Sequence, residues 1–103
     1  MRKVIDLNEA LSEHDLVVVE FTGVGCPACK AFKRILEELE PIYKDIFFCE
    51  VNVEESPEAA GQFCVMSIPA TFLVADGMIV DQIIGAVEKD EIENKLLALR
   101  RMT

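Results

Sequence analysis

Apolar and polar positions along this chain follow two periods. Leu16–Phe21, "LVVVEF", is an almost unbroken apolar run, the pattern of a strand covered on both faces. From Cys26 the period becomes helical, with Phe32, Ile35, Leu36, Leu39 and Ile42 or Tyr43 on one face, and Pro41 stops or kinks that helix near Glu40. "IFFCEVNV", Ile46–Val53, predicts the next strand. Ser56 as N-cap, Pro57 at the first helical position and Glu58 in the first turn then predict a short helix. Ala70–Ala75 and Met78–Gly85 flank Asp76-Gly77, a hairpin signal. "KDEIENKLLALRRM" closes the chain as an amphipathic helix with its acids early and Arg100 and Arg101 late, which suits the helix dipole.

Before the first apolar run, Asn8 is placed to cap a short helix, "EALSEH", and Lys3–Ile5 reads as an extra strand. The order β-α-β-α-β-β-α means an α/β fold: a mixed sheet of four to five strands with helices on both faces. No repeat, low-complexity segment or linker interrupts it, so residues 1–103 are expected to form one domain.

Composition narrows the partners. Hydrophobic residues make up 51% of the 103, which argues against disorder. Nineteen acids against ten Lys and Arg give a formal charge of −9, the wrong sign for nucleic acid or an anionic membrane surface. That charge fits a monomer that repels its own copies. No apolar run approaches the roughly 20 residues of a membrane span, and the start lacks the apolar core of a signal peptide. The expected location is therefore the cytoplasm.

In that compartment, the four cysteines are expected to be redox-active, metal-binding or buried rather than structural staples. Cys26 and Cys29 form a C-x-x-C pair, a spacing shared by half a zinc site, a staple and a redox couple. Zinc needs a second pair; Cys49 and Cys64 lack that spacing and His14 is isolated, so no metal is expected. Cys49 and Cys64 are read as small buried hydrophobes, although Cys64, nearer Pro69 in sequence, is also a candidate accessible thiol. Only a thiolate attacks a disulfide. Cys26 falls at the helix N-cap, among unpaired backbone N–H groups and with Lys30 nearby; Pro27 takes the first helical position, and Cys29 lies a turn inside. That asymmetry makes Cys26 the exposed attacker and Cys29 the resolving thiol.

From about Leu7 to Leu99 the chain resembles the thioredoxin family. "VVVEFTGVGCPACKAFKRILEEL" is similar to its strand, active-site turn and long helix, "SIPATFLVADG" to its cis-proline loop and hairpin, and "IIGAVEKDEIENKL" to its last strand, glycine and final helix. The resemblance implies a protein-disulfide reductase cycling through Cys26 and Cys29, with protein disulfides as substrates, a thioredoxin-reductase-like electron donor and no bound cofactor. It implies a cis peptide between Ile68 and Pro69 against the cysteine pair, with the Ile68 backbone pairing to the substrate chain. Gly25 and Gly85 are further substrate-contact positions.

Glu20 stands where the family carries a buried aspartate beneath the second cysteine. Strand alternation puts it on the face of Leu16 and Val18, so burial should raise its pKa and poise it as a base for Cys29. The competing reading is a solvated glutamate on an edge strand. Glu50 stands where many relatives carry a lysine, so that two carboxylates face each other unless Glu50 turns to solvent.

The chain also departs from the family. Gly25 replaces a tryptophan, and with Gly23 leaves the turn bare. The dipeptide between the cysteines is Pro27-Ala28, where thioredoxins usually have Gly-Pro. Proline first is shared with glutaredoxins and disulfide-forming oxidases, but the glutaredoxins' double glycine is missing and the oxidases' histidine is Ala28 here. The expected potential is therefore reducing, on the order of −270 to −200 mV. An oxidase or isomerase, and a partner-binding module with incidental redox activity, are the alternatives.

Overall fold

The computed structural model describes residues 1–102. Its elements are β1 (Arg2–Lys3), α1 (Leu7–Glu13), β2 (Leu16–Thr22), α2 (Pro27–Leu39), β3 (Phe47–Asn52), α3 (Pro57–Gln62), β4 (Ala70–Ala75), β5 (Met78–Ile84) and α4 (Lys89–Arg100). The strands form one sheet in the order β1-β3-β2-β4-β5. β1, β3 and β2 run parallel; β4 is antiparallel to β2, and β5 to β4. The α/β architecture with a mixed sheet follows the sequence pattern; strand limits differ by about a residue, except that β1 ends at Lys3 and not at Ile5.

The apolar run of β2 is buried on both sides because it lies at the centre of the sheet. Leu16 and Val18 face a core made with Phe32, Leu36 and Leu39 of α2 and Ile92, Leu96 and Leu99 of α4. Val17, Val19 and Phe21 face the opposite core, with Leu7 of α1 and Ala59 of α3. Burying each large apolar side chain contributes about 1.5–3 kcal/mol, so the helix faces fix which way α2 rolls on the sheet. Tyr43 completes the α2-side core while Ile42 is exposed, because the chain has already left the helix at Leu39.

Local details correct two expectations at the helix starts and bear out the hairpin. Asp6, not Asn8, caps α1, its carboxylate accepting the Glu9 amide at 3.1 Å, so the helix begins at Leu7, before Glu9. Ser56 occupies the N-cap position of α3 but makes no side-chain cap; its hydroxyl donates to the Ile5 carbonyl at 3.1 Å and ties β3's exit to the β1 loop. Asp76 and Gly77 both take positive φ, +50° and +80°, as the tight turn between β4 and β5 requires.

Candidate active site

β2 ends at Thr22 and the chain crosses a short turn before α2. Gly25, at φ +69°, makes that turn in the left-handed region. Cys26 is the N-cap of α2, and its sulfur accepts the amide of Cys29 at 3.2 Å. That donor is one of the amides a helix start leaves unpaired, so a sulfur anion at Cys26 is met by an N–H group and the positive end of the helix. Cys26 and Cys29 are joined as a disulfide with Cα atoms 5.3 Å apart. Cys26 is half-buried, whereas Cys29 is 1% exposed; Pro27 and Ala28 between them are exposed. The asymmetry read from the helix position is present in the fold.

Three segments meet beside the active-site turn. The Ile68-Pro69 peptide is cis. Gly85, at φ +82°, donates its amide to the Pro69 carbonyl at 2.8 Å, so the end of β5 holds the proline loop. Gly23 is not bare: a Cβ there would lie 2.8 Å from Ile68 Cδ1, so the glycine lets the active-site turn and the proline loop meet. Val24 and Met66 stand out from these two loops, 83% and 93% exposed. Alanine at Gly25 is expected to cost about 1–2 kcal/mol of stability, from the left-handed backbone. Alanine at Gly23 should cost less, because the Ile68 tip can move, but should weaken binding of a protein substrate. Urea unfolding and substrate KM separate the two effects.

Beneath α2, Glu20 is fully buried on the central strand, which rules out the solvated edge-strand reading. Neither of its carboxyl oxygens has a protein hydrogen-bond partner. Burial, reinforced by the nearby Glu50 carboxylate, pushes its pKa from 4.5 up to about 8, against the pull of Lys33. Glu50 does not turn to solvent either. It is 6% exposed and pairs with Glu20 across β2 and β3. Lys33 of α2, which the sequence reading passed over, donates to Glu50 Oε1 at 3.1 Å. The signal for it was its spacing: four residues after Cys29, it lies on the same side of the helix.

Of the remaining cysteines, Cys49 is buried and its thiol is pushed up to about 12, chiefly by burial. Cys64 is exposed, which corrects its reading as a buried hydrophobe. It follows the last turn of α3 at φ +54°, donating its amide to the Gly61 carbonyl, and the helix end turns it outward. Among the described residues, no group of three or more His, Cys, Asp or Glu side chains is placed to hold a metal ion, and no helix is long and apolar enough to cross a membrane.

The family profile described as Thioredoxin matches residues 4–98. The chain belongs to the thioredoxin family. It is similar to an H-type thioredoxin of Picea mariana, 36% identical over 93 residues, covering 90% of this chain and 74% of that one. It is also 34% identical to thioredoxin 2 of Chlorobaculum tepidum, covering 85% of this chain and 82% of that one. In structure it resembles mitochondrial thioredoxin 3 of Saccharomyces cerevisiae in its oxidised form, with a TM-score of 0.86 at 29% identity, covering 95% and 94% of the two chains. As a thioredoxin with the Cys26–Cys29 disulfide in place, the chain is a thiol–disulfide oxidoreductase, and the family acts on protein disulfides.

Proposed function

We propose that this thioredoxin reduces protein disulfides with Cys26 as attacking thiolate and Cys29 as resolving thiol. The observation that carries the assignment is the difference in setting: Cys26 is accessible and capped by the helix amide, Cys29 is covered. In the reductive direction, the Cys26 thiolate attacks one sulfur of the target disulfide, and the other leaves as a thiolate. Cys29 gives its proton to the Glu20 carboxylate as its sulfur attacks Cys26, closing the Cys26–Cys29 bond and releasing the second target sulfur. Two electrons pass to the target, and its two thiolates take up two protons. A base with a pKa of about 8 is suited to a thiol proton near neutral pH, since proton transfer works best between matched groups.

The backbone at Ile68, beside Pro69, receives the substrate as an added strand, and Gly25 and Gly85 keep that approach clear of side chains. A thioredoxin-reductase-like donor returns the electrons; no bound cofactor takes part, because the cysteine pair carries two electrons itself. The protein works as a monomer in the cytoplasm, consistent with its charge of −9.

The potential of the Cys26–Cys29 couple tests the direction. Equilibration with glutathione or dithiothreitol should place it at about −270 to −200 mV. A value well above this range would make the chain an oxidase or isomerase.

A further inference from the structure

The polar groups beneath α2 form a row across the sheet. Glu50 of β3 is in register with Glu20 of β2, and Glu20 with Thr71 of β4. Register partners on adjacent strands, about 4.8 Å apart, point to the same face, here the α2 face, as the burial of Leu16, Val18 and Leu73 against that helix requires. All three are buried, and the Thr71 hydroxyl, like both Glu20 oxygens, has no protein partner. Two cations stand at the Glu50 end of this row: Lys3 of β1, exposed and in register with Glu50, and Lys33, which bonds it. Lys33 comes down from α2, one turn after Cys29, and ends on Glu50 rather than on Glu20. Glu50 also lines a cavity of about 270 Å³ with Lys3, Thr22, Asn52 and Glu55, whereas Glu20 does not. The row thus has a fully buried member beneath the cysteine helix and a member whose charge is balanced at the solvent side.

We infer that Lys33 is a positioning residue for the thiol chemistry: by balancing the Glu50 carboxylate that stands in register with Glu20, it sets the pH at which Glu20 accepts the Cys29 proton. The inference rests on the proposed role of Glu20. The charged groups around Glu20 are Glu50 from β3 and Lys33 and Glu37 from α2, with Thr71 from β4 as a neutral neighbour. Glu50 and Glu37 disfavour a second negative charge there, and Lys33 favours it. Lys33 and Glu50 therefore act on Glu20 with opposite sign, although they are bonded to each other.

The test is the titration of the Glu20 carboxyl carbon by ¹³C NMR in the reduced protein, alongside the pH profile of mixed-disulfide release. Lys33→Gln removes the cation but keeps a donor for Glu50, so folding is preserved. It should move the Glu20 midpoint up by about one pH unit, a tenfold change in proton concentration, since a charge at this range shifts a carboxyl by about that much. Glu50→Gln should move it down by a similar amount, and Lys33→Arg should leave it near wild type. The release profile should follow the same shifts. Midpoints that move the same way in Lys33→Gln and Glu50→Gln, or that do not move, overturn the inference. Glu20→Gln separates this from the underlying reading. If it leaves the release profile unchanged, the role of Glu20 falls and the inference with it. If it flattens the profile while Lys33→Gln changes nothing, only the role of Lys33 is lost.

Discussion

Serine at position 26 is expected to abolish disulfide reduction, lowering kcat/KM by at least about 10³-fold, because loss of the attacking nucleophile removes the whole covalent route. Serine at position 29 should fail differently. Its Cys26 is still capped by a helix amide, so attack proceeds, but nothing inside the protein releases the target, and the covalent adduct accumulates. Mass spectrometry of each variant after mixing with a disulfide-containing protein distinguishes the two. The adduct should form with Cys29→Ser and not with Cys26→Ser. The reverse result would exchange the two roles, against the burial of Cys29 at 1% exposure and the accessibility of Cys26. The same Cys29→Ser adduct, formed in a cell extract, retains the physiological substrates for identification.

Replacing Glu20 by glutamine should make the protein more stable, and increasingly so with pH. In the folded chain the carboxyl has a pKa of about 8 against 4.5 when unfolded, so folding favours its protonated form. For a group raised in this way, the stabilising contribution is complete below about pH 4.5 and is lost as pH rises through about 8. At about 1.4 kcal/mol per unit, the loss reaches about 3 kcal/mol at pH 7. Glutamine, which cannot ionise, escapes it. The variant and wild type should therefore lie within about 1 kcal/mol of each other at pH 5 and separate by about 3 kcal/mol or more at pH 8. Urea denaturation of the oxidised proteins across this range measures the gap. A gap independent of pH would mean that Glu20 keeps ordinary acidity in the fold.

The sequence pattern carried most of the architecture because the two periods are clean. The run from Leu16 has no polar residue before Glu20, and it is the central strand. The α2 face predicted from Phe32, Leu36 and Leu39 is the face that packs. Helix caps were harder to read. Asp6 and Asn8 are both good caps by type, and which one serves depends on where β1 releases the chain. The position of Cys26 at a helix start was legible, since a change of period, a turn and a proline at the next position coincide. Lys33 was not. One lysine on a helix rich in charge looks like any solvated residue, and only the register of β2 with β3 shows that Glu50 waits beneath it. The contact of Gly23 with Ile68 was hidden for the same reason, because it joins loops 45 residues apart in sequence (68 − 23).

The outward turn of Cys64 has a practical side. In the oxidised protein Cys26 and Cys29 are bonded to each other, and Cys49 lies inside the sheet. A thiol-directed fluorophore or surface tether added without reductant therefore finds one address, at the end of α3. The chain comes with a single-site handle for fluorescence or immobilisation that leaves the working pair untouched.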